Sequence, residues 1–125
     1  MVISIVEDDE SFREALTGLV NAIGFDAIAY ASAEAFLESD GPLISSYLIT
    51  DVQLPGMNGL ELSRRLVALG IAIPTTIITA IAGEEIRRAA IAEGAVALLH
   101  KPIDGAALSH HIYTALQPSG ANQNI

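Results

Sequence analysis

The stretch YLITDVQLPGMNG, residues 47–59, carries the features that decide the fold. It begins with a short apolar and β-branched run, Tyr47 to Thr50, which predicts a buried strand. Asp51 follows directly, and the Pro55-Gly56 pair then predicts a turn. In open α/β sheets, the residues just after each strand are the ones that meet ligands. The stretch therefore predicts a sheet strand with a candidate site residue at its end.

Similar apolar runs recur along the chain and alternate with segments of helical period. The runs predict five strands, at Val2 to Val6, Ala27 to Tyr30, Tyr47 to Thr50, Thr75 to Thr79 and Val96 to Leu99. Apolar residues at helical spacing predict helices at Phe12 to Ile23, Ala33 to Glu38, Leu62 to Leu69, Glu84 to Glu93 and Leu108 to Leu116. Helix-ending residues follow four of these helices, namely Gly24, Gly70, Gly94 and Pro118.

Alternating strands and helices with short connections predict an α/β fold. We expect a five-stranded, doubly wound parallel sheet with helices on both faces. The strand centres carry almost no charge, as expected for strands that are covered on both faces. We predict one domain over residues 1–117, followed at residues 118–125 by a polar tail or the stub of a linker.

Composition and charge exclude several classes of function. Of the 125 residues, 51% are apolar, which suits one buried core, and the absence of cysteine excludes disulfides, thiol chemistry and cysteine-based zinc sites. The net charge of −9 repels phosphate backbones, so we expect no nucleic acid binding by this segment. The initial apolar run, Met1 to Val6, is too short for a signal peptide or a membrane span. We therefore expect a cytoplasmic location without membrane attachment.

Charged or polar residues stand at the ends of four predicted strands. Glu7-Asp8-Asp9 follows the first strand, Asp51 the third and Lys101 the fifth, while Thr79 ends the fourth. Because parallel strands end at one edge of the sheet, three or more carboxylates, a hydroxyl and an ammonium should converge there. Close carboxylates repel one another unless a cation lies between them, and an oxygen-only set of ligands favours Mg²⁺.

Each of these residues also has an ordinary structural explanation when it is considered alone. The acidic turn can cap the helix that follows it, and Asp51 can be a loop carboxylate. Thr79 can be a strand residue with a backbone partner, and Lys101 a surface charge. The functional interpretation is favoured because all four features end strands at the same edge of the sheet.

Four motifs occur in the order Glu7-Asp8-Asp9, Asp51 with Pro55-Gly56-Met57-Asn58-Gly59 behind it, Thr79-Ala80 and Lys101-Pro102. Together they resemble the receiver domain of bacterial two-component response regulators, over residues 2 to 117. The run Ser32 to Leu37 and the Asp51 loop further resemble the nitrogen-fixation and nodulation type regulators. The resemblance implies a flavodoxin-like sheet of strand order 2-1-3-4-5 and a cis peptide bond between Lys101 and Pro102.

The resemblance also implies a phosphorylation site that uses Mg²⁺. Asp51 would be the phosphoacceptor, which takes a phosphoryl group from a histidine kinase. Asp8, Asp51 and the backbone carbonyl of Gln53 would hold the Mg²⁺, and Glu7 would act through bound water. The expected protein is a signalling regulator and not an enzyme.

Two further residues would carry the response to phosphorylation. Thr79 would be the switch hydroxyl that moves to the phosphoryl oxygen, and Lys101 would pair with Asp51 and then with the phosphate. The switched surface would be formed by the fourth helix, the fifth strand and the fifth helix, for homodimerisation or partner binding. The chain departs from the family at Leu98, three residues before the lysine, where a Tyr or Phe is usual.

Three other functions fit the sequence less well than this interpretation. An aspartyl phosphatase needs a second aspartate two residues after its nucleophile and places that nucleophile after the first strand. In this chain, the residue two positions after Asp51 is Gln53, and Asp51 follows the third predicted strand. A flavin-binding domain needs a phosphate loop where this chain has an acidic turn. A degenerate receiver that is never phosphorylated is disfavoured by the complete set of Asp8, Asp51, Thr79 and Lys101.

Overall fold

The five predicted strands form one parallel sheet in the computed structural model, which describes residues 1–116. They are β1 (Val2–Val6), β2 (Asp26–Tyr30), β3 (Ser45–Asp51), β4 (Thr75–Thr79) and β5 (Ala97–His100). The sheet order is β2-β1-β3-β4-β5, which confirms the predicted order. Because the order reverses between β1 and β3, the carboxyl ends of these strands border the crevice in which such sheets bind ligands.

Within residues 1–116, five helices lie between the strands and a sixth follows the last strand. They are α1 (Glu10–Ala22), α2 (Ala33–Leu37), α3 (Gly41–Ile44), α4 (Gly59–Ala68), α5 (Glu84–Ala92) and α6 (Gly105–Leu116). The sequence predicted five of these and missed α3, because a helix of four residues is too short to show an apolar period. The predicted fourth and fifth helices are therefore α5 and α6. Gly24, Gly70 and Gly94 have φ angles of 103°, 74° and 86°, which confirms their predicted positions after helices.

The helices cover both faces of the sheet. On one face, α1 and α6 pack on the three central strands, and the buried core consists of Ile3, Ile5, Leu16, Val20, Tyr47, Ile49, Ile78, Leu108 and Ile112. On the other face lie α2, α4 and α5, and the buried apolar residues there are Val6, Ala33, Phe36, Leu48, Val52, Leu54, Leu62, Leu66, Ile77 and Ala90. The double coverage explains why the strands β3 and β4 carry no charged residue before Asp51.

The predictions for the C-terminal residues lie outside the described part of the chain. Neither the helix stop at Pro118 nor the tail at residues 118–125 falls within residues 1–116. The proposed domain boundary at residue 117 therefore stays a prediction. Within residues 1–116, no helix combines the length and the apolar character needed to cross a membrane.

Candidate functional site

The end of β3 places a buried carboxylate at the carboxyl edge of the sheet. Asp51 is only 3% exposed, and both of its carboxylate oxygens have partners. The Lys101 ammonium lies 2.5 Å from Asp51 Oδ2, and the backbone N–H of Gln53 donates to Asp51 Oδ1 at 2.9 Å. The carboxylate is therefore fixed in position from two sides.

The loop after Asp51 turns directly into α4. Gly59 N donates to Val52 O at 3.0 Å, and Asn58 and Glu61 form a reciprocal capping box at the start of the helix. A Cβ atom at Gly59 would lie 2.2 Å from the carbonyl oxygen of Asp51. Glycine is therefore needed here because the two backbone segments come so close.

Lys101 directly follows β5 and contacts two carboxylates. A cis peptide bond joins it to Pro102, as predicted. Its Nζ lies 3.3 Å from Glu7 Oε1 in addition to its contact with Asp51, and 4.5 Å from the centre of the Phe12 ring. Burial lowers the pKa of Lys101, but the hydrogen bonds and charges of the two carboxylates outweigh it, so that the pKa is raised. The side chain therefore stays protonated at neutral pH.

Glu7 is the second buried carboxylate of the site and is only 1% exposed. Its Oε2 accepts a hydrogen bond from Asp9 N at 2.9 Å, and its backbone carbonyl accepts one from Arg13 Nη1 at 3.0 Å. Burial, with a smaller contribution from the Asp51 carboxylate, raises the pKa of Glu7 to about 7 against the opposing effects of the Asp9 N–H and Lys101. Two buried carboxylates thus share one ammonium, and burial favours the protonated form of Glu7.

The expected convergence of three or more carboxylates is not what the structure contains. Among residues 1–116 no group of three aspartate, glutamate or histidine side chains is arranged to hold a metal ion. Asp8 is exposed at the edge of the crevice, and Lys101 lies between Glu7 and Asp51. The expectation of a three-carboxylate cluster was wrong because only Glu7 and Asp51 are buried and meet at the Lys101 ammonium, whereas Asp8 is exposed.

The site residues nevertheless fit Mg²⁺ in their chemistry. Mg²⁺ keeps several water ligands and binds proteins through one or two carboxylates, so a third carboxylate is not required. Asp8 and Asp51 carry carboxylates, and Gln53 offers a backbone carbonyl. Asp8 and Gln53 are exposed to water. The Asp51 carboxylate is one of the causes that raise the pKa of Glu7, and a divalent cation would offset the charge of this carboxylate.

Thr79 ends β4 beside Lys101. It is fully buried, and its hydroxyl accepts a hydrogen bond from the backbone N–H of Ile81 at 2.9 Å. Its backbone carbonyl accepts one from Lys101 N, also at 2.9 Å. The predicted switch hydroxyl is therefore adjacent to the lysine along the edge of the sheet and is engaged with its own loop.

Leu98 lies on β5 opposite Ile77 of β4 and is half-buried. It packs beside the buried cluster of Val52, Ile77 and Ala90. It also lines a cleft of about 280 Å³ between α5 and α6, to which His111 contributes from the opposite side. The position that is usually aromatic in the resembled family thus carries a smaller side chain at the edge of an open cleft.

Two residues near the site, Phe12 and Glu34, were not predicted to lie there. Phe12 was predicted only as part of the apolar stripe of the first helix, yet its ring lies against the ammonium of Lys101. Glu34 Oε2 accepts a hydrogen bond from Met57 N at 2.8 Å, although 23 positions separate the two residues. Contacts between such distant residues depend on side-chain directions, for which one sequence has no signal.

Comparison with known proteins identifies close relatives of this fold and site. The sequence profile of the response regulator receiver domain matches residues 3–113. Nodulation protein W of Bradyrhizobium diazoefficiens is 39% identical over 101 residues, which cover 81% of this chain and 44% of the relative. Response regulator protein TmoT of Ectopseudomonas mendocina is 40% identical over 116 residues, which cover 93% of this chain and 53% of the relative. The chain spans about half the length of the curated relatives it matches.

A crystal structure of FixJ-N gives the same result in three dimensions. It is 34% identical in sequence and superimposes with a TM-score of 0.83. The similarity covers 91% of both chains. At 34% identity the two chains are similar in sequence as well as in fold. Nodulation protein W and FixJ of Azorhizobium caulinodans are both among the relatives, which agrees with the subfamily resemblance.

Proposed function

The chain belongs to the response regulator receiver domain family of two-component systems, and on that premise we propose that it accepts a phosphoryl group from a histidine kinase on Asp51. The observation that carries the proposal is the contact of 2.5 Å between Asp51 Oδ2 and the Lys101 ammonium at the edge of the sheet. In the transfer, an Asp51 carboxylate oxygen bonds to phosphorus while the bond between phosphorus and the kinase imidazole breaks. The module passes on a signal and is not an enzyme in its own right.

Lys101 supports this chemistry through its position and its charge. Phosphoryl transfer spreads negative charge over the equatorial oxygens, and a catalyst must position and neutralise that charge. The compact ammonium of lysine acts as a point charge. Glu7 and the ring of Phe12 hold this ammonium beside the acceptor, so it is already oriented before the donor arrives.

The proposed cofactor is Mg²⁺, held by the carboxylates of Asp8 and Asp51 and the backbone carbonyl of Gln53. Glu7 would act through bound water. When bound, the ion neutralises part of the charge on the transferring phosphoryl group. The hydrogen bond from Gln53 N to Asp51 Oδ1 supports this assignment because it ties the carbonyl-bearing segment to the acceptor.

We further propose that phosphorylation switches the surface of α5, β5 and α6 through Thr79. The hydroxyl would exchange its bond with the Ile81 N–H for one with a phosphoryl oxygen, and the loop after β4 would move with it. The output is homodimerisation or binding of a protein partner. A net charge of −9 favours a protein partner over nucleic acid for this segment, and the proposed location is the cytoplasm.

Intact-mass measurement after incubation with a small phosphodonor and Mg²⁺ tests this function. We expect the parent to gain one phosphoryl mass, and Asp51→Asn to gain none. Asp26→Asn, which changes an exposed aspartate on the edge strand, serves as the matched control and should be labelled like the parent. Equal labelling of Asp51→Asn and parent would refute the acceptor assignment. Sustained release of phosphate from an unrelated phosphoester would instead favour an aspartyl phosphatase.

A further inference from the structure

Glu34 reaches from α2 to the loop that follows the phosphoacceptor. It lies in the first turn of this helix, whose N-cap Ser32 accepts a hydrogen bond from Ala35 N at 3.0 Å. Its carboxylate oxygen Oε2 accepts a hydrogen bond from Met57 N at 2.8 Å. An acidic residue in a first turn ordinarily stabilises its own helix. The contact with Met57 goes beyond that role, because the helix does not need it.

The helix α2, which carries Glu34, is tightly packed against the rest of the domain. Ala33 and Phe36, on either side of it in sequence, are completely buried. The Phe36 ring packs edge-on against Tyr30, with 5.2 Å between the ring centres. Close packing of this kind leaves the helix little freedom to shift. The backbone position from which the Glu34 side chain extends is therefore fixed.

The loop approaches the carboxylate closely. Gly56 has a φ of 75°, and a Cβ atom at this position would lie 2.5 Å from Glu34 Oε2. The backbone thus takes a conformation that favours glycine and leaves room for the carboxylate. The hydrogen bond from the Met57 N–H lowers the pKa of Glu34, so the carboxylate is ionised and the bond is charge-assisted.

The same loop follows the acceptor Asp51 and is attached at both of its ends. Its beginning is tied to the site because Gln53 N donates to Asp51 Oδ1 at 2.9 Å. Its end is tied back to the residue that directly follows β3, because Gly59 N donates to Val52 O at 3.0 Å. Residues 53–58 span these two attachments. Between them, the capping box ties Asn58 to α4, and the bond to Glu34 ties Met57 to α2.

We propose that Glu34 is a positioning residue that fixes the turn of residues 53–58 and thereby holds the Gln53 carbonyl where it can bind Mg²⁺. The inference rests on the proposed function, since it assigns the segment a metal-binding role. Partners that orient metal ligands from outside the coordination sphere typically contribute 10- to 100-fold to metal affinity. Glu34 acts through the backbone over three residues, so the lower end of that range is expected.

Mg²⁺ titration calorimetry on three variants of the whole chain tests the inference. Glu34→Ala should raise the Kd for Mg²⁺ by about 10-fold. Glu34→Gln, which keeps an acceptor oxygen but loses the charge, should raise it less. Glu38→Ala removes the same charge from the exposed end of the same helix and should leave the Kd within about 2-fold of the parent, because long-range charge effects at the surface are screened.

Amide hydrogen exchange without metal provides a second readout. The Met57 amide should exchange at least about 10-fold faster in Glu34→Ala than in the parent or in Glu38→Ala. If Glu34→Ala and Glu34→Gln bind Mg²⁺ as tightly as the parent, the positioning role is refuted, whatever the exchange rate. A parent that binds no Mg²⁺ would refute the proposed metal site itself, and unchanged exchange at Met57 would then also remove the role of Glu34 in fixing the turn.

Discussion

The ammonium of Lys101 and the carboxylate of Asp51, 50 residues apart in sequence, lie 2.5 Å apart and form a partly buried ion pair. The lysine side chain is 26% exposed and the aspartate side chain 4%. Removal of one partner of such a pair costs more than the pair contributes, because the remaining charge is left unpaired in a poorly solvated position. The site is therefore stable only as a complete set of charges.

Replacing the lysine should destabilise the domain strongly. We expect Lys101→Met to lower the free energy of unfolding by about 3 kcal/mol, the lower end of the range for a broken buried pair, because the ammonium is partly exposed. Urea unfolding in the presence of a chelator measures this change. The double variant Asp51→Asn/Lys101→Met should recover part of the loss, since the acceptor charge is then gone. If both variants are equally unstable, the loss comes from lysine packing and not from the charge.

The pKa of Glu7 predicts how the metal-free protein responds to pH. This pKa is raised from 4.5 to about 7 by burial, so between these values the folded chain holds a proton that the unfolded chain has released. The free energy of unfolding should therefore fall as pH rises from about 4.5 to about 7. Glu7→Gln cannot titrate and should lack this part of the fall.

The control for this pH dependence is Glu10→Gln, which neutralises an exposed carboxylate in the first turn of α1. It should follow the parent curve of unfolding free energy against pH, measured by urea denaturation with chelator. Parallel curves for Glu7→Gln and the parent would show that burial does not raise the pKa of Glu7.

Much of the fold could be predicted because its signals are local. The apolar run before Asp51 gave a strand that the structure extends to Ser45–Asp51, and the glycine at position 24 ended the first helix as expected. Parallel strands end at one edge, so the convergence of Asp51 and Lys101 on that edge followed from topology. These inferences need only the periodicity of the chain and the direction of its strands.

The parts that could not be predicted depend on where side chains point. The positions of Glu7 and Asp8 after the first strand did not show which of the two is buried, and in the structure Glu7 is buried while Asp8 is exposed. Neighbouring residues at a strand end face different directions, so one position along the chain separates a buried acid from a solvated one. The contacts of Phe12 with Lys101 and of Glu34 with Met57 were missed for the same reason.

The hydroxyl of Thr79 should matter more for switching than for folding. Thr79→Ala leaves the partly buried N–H of Ile81 without its acceptor, which should cost about 1 kcal/mol of unfolding free energy. The increase in dimer or partner affinity caused by a phosphate mimic should shrink in this variant, because no hydroxyl can turn to the phosphoryl oxygen. Thr79→Ser keeps the hydroxyl and serves as the control. A full response in Thr79→Ala would contradict the switch role.

Leu98 should contribute to packing but not to the switch. An aromatic side chain at this position can occupy two rotamers and report the movement of the switch hydroxyl to the surface, whereas leucine is smaller and has no polar tip. Because Leu98 is half-buried, Leu98→Ala should cost about 2 kcal/mol, the lower end of the range for buried leucines. Below its melting temperature, the variant should keep the full affinity increase caused by a phosphate mimic.

Restoring an aromatic residue provides the opposite test. The cleft of about 280 Å³ beside Leu98 offers space for a ring between α5 and α6, so we expect Leu98→Tyr to fold and to gain a second rotamer that phosphorylation can select. The ratio of dimer or partner affinities with and without a phosphate mimic should then exceed that of the parent. Sedimentation or calorimetric titration of the parent, Leu98→Tyr, Leu98→Ala and Thr79→Ala measures this ratio. If Leu98→Ala loses the response while Thr79→Ala retains it, Leu98 is itself the moving part and the hydroxyl is not, because the signal then reaches the surface of α5, β5 and α6 through the leucine.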